Sequence, residues 1–221
     1  MPRFPSARTR APQILERLGE LYPHATCSLD WRTPYELLIA TMLSAQCTDE
    51  RVNLITPALF ARFPDAAAAA VVDAAEVEPY VKSAGFFRNK AKNIVAASRL
   101  LIERHGGDVP RTMEELLVLP GVARKTASVV LAWAYGINAG VTVDTHVSRL
   151  AQRLRLSRRT EPRQIEPDLM KLVPQEHWQT LSIRLIFHGR AVCRARKPNC
   201  PGCPIADLCP TGATGPGATG R

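Results

Sequence analysis

Residues 112–135 read TMEELLVLPGVARKTASVVLAWAY, and this stretch decides the fold class. Thr112 and Glu115 have the spacing of a capping box, which predicts the start of a short helix. That helix must stop at the Leu-Pro-Gly sequence of residues 119–121, because proline disfavours helix in the residue before it and glycine permits a tight turn. A second helix is predicted from about Arg124 to Tyr135. The stretch therefore predicts two helices joined by a short turn.

The turn between these helices could hold an anion. Residues 119–123 would leave backbone N–H groups exposed at the start of the second helix, a position that suits a DNA phosphate. Lys125 lies in the first turn of that helix, where the helix dipole and the neighbouring Arg124 both favour the uncharged amine. The residues alone leave a second interpretation open, in which Arg124 and Lys125 are an ordinary solvated basic pair.

Helical signals recur along the rest of the chain. Residues 33–36 (TPYE) form another capping box, with proline at the first helical position. Apolar residues follow at helical spacing, whereas strict alternation of apolar and polar residues is nearly absent. We therefore predict an all-α fold.

A candidate catalytic carboxylate follows the second helix. Asp144 stands just before a run of apolar residues at helical spacing, so it lies at or just before a helix start. Aspartate in that position is usually an N-cap. Capping is compatible with catalysis, because a helix N-terminus holds the carboxylate ionised, the form that stabilises an oxocarbenium-like centre.

The positive charge is concentrated in one part of the chain. Residues 145–200 contain twelve Lys or Arg and four Asp or Glu, and the formal net charge of the 221 residues is +9. The remaining residues are nearly balanced, with 17 basic and 16 acidic side chains. This distribution favours a surface that faces a polyanion, although a solvated basic face is the alternative.

Four of the six cysteines form a cluster with the spacing Cys193-x6-Cys200-x2-Cys203-x5-Cys209. Disulfides are rare in intracellular proteins, so we interpret the cluster as a metal site. Four thiolates can hold zinc or an iron–sulfur cluster, but zinc sites often use two Cys-x2-Cys pairs and only one is present. Cys27 and Cys47 stand in apolar surroundings, and we expect them to be buried thiols.

The chain lacks the signals of a membrane or secreted protein. No run approaches the roughly 20 apolar residues of a membrane helix, and the first residues lack the apolar stretch of a signal peptide. We expect a soluble, intracellular protein with no membrane partner, cytoplasmic and nucleoid-associated if it is prokaryotic. Residues 1–10 and 211–221 are expected to be disordered, the latter because they are almost entirely Gly, Ala, Thr and Pro.

Taken together, these motifs resemble those of the endonuclease III family. LPGVARKTA at 119–127, followed by VDTH at 143–146, is similar to that family's helix-hairpin-helix and Gly/Pro-Asp signature. LSAQCTD at 43–49 and the cysteine cluster extend the resemblance to roughly residues 12–210. One departure is Ala123, where the family usually has glycine. Because alanine disfavours a positive φ, either this position is helical or the hairpin is slightly re-aimed, and we expect weaker or altered DNA affinity rather than lost chemistry.

The resemblance implies a two-lobed helix-hairpin-helix DNA glycosylase fold. One lobe would be a six-helix barrel over residues 28–137, with the hairpin at about 112–135. The other would join residues 11–27 to 138–210, and the active site would lie in the cleft between the lobes. The resemblance also favours a 4Fe-4S cluster over zinc, with the ligands Cys193, Cys200, Cys203 and Cys209.

The implied activity is that of a bifunctional DNA glycosylase and AP lyase in base excision repair, acting on oxidised pyrimidines in duplex DNA. Lys125 would attack C1′ of the deoxyribose and form a Schiff base, and Asp144 would support expulsion of the base. β-Elimination would then cut the strand 3′ to the abasic site. The partner would be double-stranded DNA with damaged bases or abasic sites, and the chain would act as a monomer.

Such an enzyme must extrude a base and fill the gap that it leaves. By the resemblance, Gln46 fills that gap and Phe86 supplies a second insertion, while Phe87 is expected to pack inward. A basic loop between the first two cysteines could grip phosphates. The remaining predicted DNA contacts are Gly121, Ala123, Arg124 and His146, together with Arg194, Arg196 and Lys197 of that loop.

Two alternatives remain at the level of sequence. A monofunctional relative that excises adenine opposite oxidised guanine does not use a lysine nucleophile and typically has a further C-terminal domain, so Lys125 and the short tail argue against it. A non-catalytic helix-hairpin-helix DNA-binding protein would use Lys125 only to meet phosphate. Strand incision that is lost in Lys125→Ala while binding survives would separate these functions.

Overall fold

The computed structural model describes residues 4–212, and every regular element in that range is helical. This confirms the all-α prediction. The chain divides into two compact units, one of Cys27–Ala139 and the other of Met1–Thr26 with Gly140–Arg221. The predicted boundaries, 28 and 137, fall one and two residues inside the first of these units. None of the helices in the described range has the length and apolar character needed to span a membrane.

The unit Cys27–Ala139 contains seven α-helices, whereas the resemblance implied a six-helix barrel. The additional one is a five-residue helix that begins after Asp65, because the carboxylate of Asp65 accepts the N–H of Ala68 and caps the alanine run. A 3-10 turn at Lys82–Ala84 precedes the longest helix. The helices are α2 (Pro34–Leu43), α3 (Asp49–Arg62), α4 (Ala66–Ala70), α5 (Ala74–Val81), α6 (Phe87–His105), α7 (Met113–Val118) and α8 (Arg124–Tyr135).

Helix α2 forms the centre of this unit. Its residues from Tyr35 to Leu43 are all buried, and it packs against α8, while α4 and α5 pack against α6. The predicted cap is present, since the hydroxyl of Thr33 accepts the N–H of Glu36 at 3.1 Å. A helix buried on every side is held in place by its neighbours, so α2 fixes where the loop after Leu43 begins.

The other unit is built on four α-helices within its described residues. Helix α9 packs against α10 and α11, and α1 packs against α11. Its apolar core is separate from that of the first unit and includes Ile14, Leu150, Ile165 and Leu185. The helices are α1 (Ala7–Leu21), α9 (Thr145–Arg153), α10 (Pro162–Met170) and α11 (Trp178–Ala191).

Part of the expected terminal disorder is wrong. Residues 7–10 belong to α1, because Ser6 caps the helix by accepting the N–H of Thr9. The buried guanidinium of Arg10 donates to the carbonyls of Leu154 and Leu208 at 2.7 and 2.8 Å. Near the other end, the hydroxyl of Thr211 donates to the carbonyl of Arg153 at 2.7 Å. The expectation for residues 1–3 and 213–221 lies outside the described residues.

Candidate active site and DNA interface

The predicted helix-turn-helix is formed by α7, the turn of residues 119–123, and α8. The N–H of Val122 donates to the carbonyl of Leu119 at 3.1 Å, which closes the turn. Gly121 has a φ of +79°, and a Cβ added there would lie 2.8 Å from Nδ2 of Asn93. Glycine is therefore required for two reasons, the left-handed backbone and the close approach of α6.

Ala123 fits the turn without backbone strain. Its φ and ψ are −93° and 167°, so it is extended, and it occupies the N-cap position of α8. We predicted that this residue is either helical or part of a re-aimed hairpin, and the structure shows neither. An extended N-cap needs no positive φ, so alanine fits here. Alanine has no side-chain oxygen, so Ala123 gives α8 no side-chain cap. The N-terminus of a helix favours an anion nearby.

Lys125 is the second residue of α8, and its side chain is exposed. The opposite side of the helix is anchored in the core through Ala127, Val130 and Leu131, which are fully or almost fully buried. The backbone that carries the lysine is therefore rigid, while the amine reaches solvent. This combination suits a nucleophile that must meet a large substrate.

Asp144 is the N-cap of α9, as predicted. Its Oδ1 accepts the N–H of Val147 at 2.8 Å, and the side chain is half-buried. That hydrogen bond fixes the orientation of the carboxylate. Asp144 belongs to the unit that contains α9, whereas Lys125 belongs to the unit that contains the hairpin.

The predicted insertion residues share one surface of the unit Cys27–Ala139. Gln46, Phe86 and Gly121 line a cleft of about 190 Å³. The ring of Phe86 is 67% exposed, whereas Phe87 packs against the apolar core, which confirms that only one of the adjacent rings faces outward. Both predicted insertion residues have a left-handed backbone, with φ of 55° at Gln46 and 48° at Phe86.

The four clustered cysteines line one small cavity of about 50 Å³. Within residues 4–212, no three His, Cys, Asp or Glu side chains are close enough to hold a single metal ion. Zinc would need its sulfurs about 2.3 Å from one centre, whereas an iron–sulfur cluster binds each cysteine through a different iron. The four cysteines that line this cavity supply the thiolate donors that an iron–sulfur cluster uses.

Burial raises the pKa of Cys203 to about 11 and also raises the pKa of Cys209. A bound metal must therefore displace protons from these thiols. The two outlying cysteines were expected to be buried, but Cys27 and Cys47 are only partly buried at the edge of the core. Burial raises the pKa of Cys27 as well, which keeps it an uncharged thiol at neutral pH.

The basic loop of residues 193–200 is held by two arginines that sequence reasoning missed. Arg153 donates to the carbonyls of Arg194 and Ala195 at 2.7 and 2.9 Å, and its Nη1 lies 3.3 Å from Sγ of Cys193. Arg149 donates to the carbonyl of Cys193 at 3.1 Å and lies 3.1 Å from Nδ1 of the half-buried His146. Three exposed basic side chains project from the loop: Arg194, Arg196 and Lys197.

Comparison with known proteins defines the class first. Residues 39–175 match the HhH-GPD superfamily of base excision DNA repair proteins, more than half of the chain. Residues 193–209, which span the four cysteines, match the iron–sulfur binding domain of endonuclease III. The fold and the cysteine site are thus those of a helix-hairpin-helix protein of base excision repair.

The relatives then define the family. The endonuclease III of Synechocystis sp. is 62% identical over 209 residues, which cover 95% of each chain. A non-covalent endonuclease III–DNA complex matches with a TM-score of 0.88 at 42% identity, covering 94% of this chain and 97% of that one. A trapped endonuclease III–DNA covalent intermediate matches with a TM-score of 0.88 at 41% identity and the same coverage.

The chain belongs to the endonuclease III family, whose members are DNA N-glycosylases with AP lyase activity in base excision repair. The cofactor is a 4Fe-4S cluster. The predicted fold, enzyme class and cofactor are thereby confirmed.

Proposed function

We propose that the chain removes oxidised pyrimidines from duplex DNA and cuts the strand 3′ to the abasic site, with Lys125 as nucleophile and Asp144 as catalytic carboxylate. The observation that carries this proposal is the position of Lys125. Its exposed side chain stands in the first turn of α8, beside the backbone N–H groups of a helix N-terminus that Ala123 does not cap through its side chain. A phosphate bound at those groups would bring a deoxyribose within reach of the amine.

The reaction begins when the uncharged Nζ of Lys125 attacks C1′ of the deoxyribose. The C1′–N bond to the base breaks, and the base leaves with the bonding electron pair and takes up a proton. Asp144 stabilises the positive charge that develops on the sugar during this step. Nζ then loses a proton, and its lone pair forms the C1′=N bond as the C1′–O4′ bond breaks. O4′ takes up a proton, which gives the ring-opened Schiff base.

Strand cleavage follows from the Schiff base. Removal of a proton from C2′ expels the 3′ phosphate with the electrons of its C3′–O bond, and water then releases the sugar from Lys125. The similarity to a trapped endonuclease III–DNA covalent intermediate supports this covalent route over the monofunctional alternative.

The damaged base has to leave the duplex before the attack. Gln46 fills the space that it vacates, and Phe86 inserts from the second segment. Support comes from their exposure and from the cleft that they share with Gly121. The hairpin and α9 hold the flanking phosphates through Gly121, Ala123, Arg124 and His146.

The cluster shapes a DNA contact and takes no part in bond breaking. Its ligands are the four cysteines that line one cavity, and when bound it fixes both ends of the basic loop. Arg149 and Arg153 fix the backbone of the same loop. The loop side chains that meet phosphate are Arg194, Arg196 and Lys197.

The proposed partner is double-stranded DNA that contains damaged bases or abasic sites, and the proposed active form is the monomer. Support for the monomer is that Lys125 and Asp144 belong to the same chain. An enzyme of genomic DNA acts where that DNA is, so we place it in the cytoplasm, associated with the nucleoid, as its bacterial relatives suggest.

Borohydride reduction tests the proposal, because it converts a Schiff base into a stable covalent link between protein and DNA. The parent should be trapped on a duplex that contains an abasic site. Lys125→Ala should give no trapped complex, whereas Lys171→Ala, which removes an exposed lysine near the end of α10, should behave like the parent. A trapped complex that persists in Lys125→Ala would rule out Lys125 as the nucleophile.

A further inference from the structure

Lys90 is a cation buried inside the unit Cys27–Ala139. Its side chain lies in the first turns of α6, and the residue is only 8% exposed. The ammonium donates to the carbonyl of Leu43 at 2.8 Å and to the carbonyl of Ala84 at 2.7 Å. No carboxylate within residues 4–212 forms an ion pair with it. Burying an ammonium without a carboxylate partner costs free energy, so the buried position of Lys90 calls for an explanation.

The two carbonyls mark the roots of the segments that carry the proposed insertion residues. Leu43 is the last residue of α2, three positions before Gln46. Ala84 is the last residue of the 3-10 turn, two positions before Phe86. We call residues 44–48 and 82–86 the insertion segments. Lys90 is thus bonded at the base of one segment and within the other.

Both insertion segments contain strained backbone. Gln46 and Phe86 are not glycine, yet their φ values of 55° and 48° lie in the left-handed region. Non-glycine residues stay in that region only where the surrounding structure holds them. The hydrogen bonds from Lys90 act beside both strained residues.

We infer that Lys90 is a positioning residue, whose ammonium holds the two insertion segments at one mutual spacing so that Gln46 and Phe86 enter the duplex together. This inference rests on the proposed function, because it takes the insertion of both side chains as given. Lys90 touches neither DNA nor the reacting atoms, and it acts through the backbone of the two segments. A residue with only a general structural role would instead affect every activity of the protein alike.

The test compares Lys90→Met with Lys92→Met. Methionine keeps a long, unbranched side chain but removes the charge and all N–H donors, which leaves two buried carbonyls without a partner. Lys92 lies on the same helix, two residues further on, and is exposed, so its variant is the matched control. Thermal unfolding establishes that both variants are folded before activity is measured.

Three readouts are measured on each folded variant. The first is the fluorescence of 2-aminopurine opposite a target base, which reports extrusion. The second is single-turnover excision of an oxidised pyrimidine from duplex DNA, and the third is cleavage of a single-stranded oligonucleotide at an abasic site. Lys90→Met should lower extrusion and duplex excision by about tenfold or more, as expected for the loss of buried hydrogen bonds. Single-strand cleavage should stay close to that of the parent, because it needs no insertion.

Two further variants separate the inference from its foundation. Gln46→Ala and Phe86→Ala should each lower extrusion, and Lys90→Met should have little further effect in the double Gln46→Ala, Phe86→Ala background. If neither alanine variant affects extrusion, the insertion role in the proposed function fails. If both affect extrusion but Lys90→Met does not, only the positioning role of Lys90 fails. An equal loss in all three readouts for Lys90→Met would also overturn that role.

If Lys90→Met does not fold, Lys90→Arg takes its place. A guanidinium keeps N–H donors for the two carbonyls but holds them at a different spacing. We expect a folded protein with lowered extrusion and retained single-strand cleavage. Extrusion equal to that of the parent in Lys90→Arg would overturn the inference.

Discussion

Replacing Gly121 by alanine should destabilise the hairpin and weaken DNA binding. Gly121 has a φ of +79°, and a left-handed conformation costs an L-residue roughly 1–2 kcal/mol. The added Cβ would also lie 2.8–3.0 Å from three side-chain atoms of Asn93, so α6 or the turn must shift. Overpacking of this kind costs about 1–3 kcal/mol. The two effects together predict a loss of about 2–5 kcal/mol in the free energy of unfolding.

Gly136→Ala is the matched control for this prediction. Gly136 caps the end of α8 with a φ of +68°, but a Cβ there would meet nothing within 4 Å. Gly136→Ala should therefore lower the free energy of unfolding only by the cost of the left-handed backbone, roughly 1–2 kcal/mol. Urea unfolding of the parent, Gly121→Ala and Gly136→Ala measures the loss of stability. Titration of the same proteins with an undamaged duplex measures the loss of DNA binding. Equal destabilisation in the two variants, or undiminished DNA binding by Gly121→Ala, would refute the argument from Asn93.

Three further predictions concern the catalytic carboxylate, the basic loop and the cluster. Asp144→Asn keeps an oxygen for the N–H of Val147, so the free energy of unfolding should change by less than about 1 kcal/mol. Excision in single-turnover assays should fall by about a hundredfold or more, because the negative charge is lost. Excision near the parent rate would contradict the role of the charge. Neutralising any one basic side chain of the loop should reduce the slope of log binding constant against log salt concentration by roughly one unit, equally on damaged and undamaged duplexes. Unchanged slopes in all three variants would show that the loop does not contact DNA. These variants are Arg194→Ala, Arg196→Ala and Lys197→Ala. The purified protein should be yellow-brown with about four iron per chain, and a colourless, zinc-containing and active preparation would exclude the cubane.

Local signals in the sequence predicted the elements that carry the candidate site. The bounds of α8 and the N-cap role of Asp144 agree with the structure, because proline, glycine and capping residues act within a few positions of where they stand. The extra helix α4 was missed although its cap, Asp65, was visible. Its five alanines are too short a run to show helical periodicity.

The contacts that hold the site together could not be predicted in the same way. Lys90 meets a carbonyl 47 positions earlier in the chain, and Arg153 meets one 41 positions later. Backbone carbonyls leave no mark on the sequence, so only one end of each contact is visible. A signal did exist for Lys90, since it stands between Phe87 and Ile94 at helical spacing, where an apolar residue would be expected.

The family resemblance indicated the type of cofactor and the role of Lys125, which local patterns left open. Zinc and iron–sulfur were both open on cysteine spacing, and Lys125 alone was indistinguishable from a solvated basic residue. Ala123 shows the limit of that resemblance, because the expected choice between a helical position and a re-aimed hairpin omitted the extended N-cap that the structure has.

Peptide mapping of the reduced protein–DNA complex tests the central claim most directly. The parent is incubated with a duplex that contains an abasic site, reduced with borohydride, and digested with nuclease and protease before mass spectrometry. A sugar adduct should be found on Lys125, in a peptide from the start of α8. An adduct on another lysine, or no adduct in a preparation that cuts the strand, would contradict the assignment of Lys125 as the nucleophile.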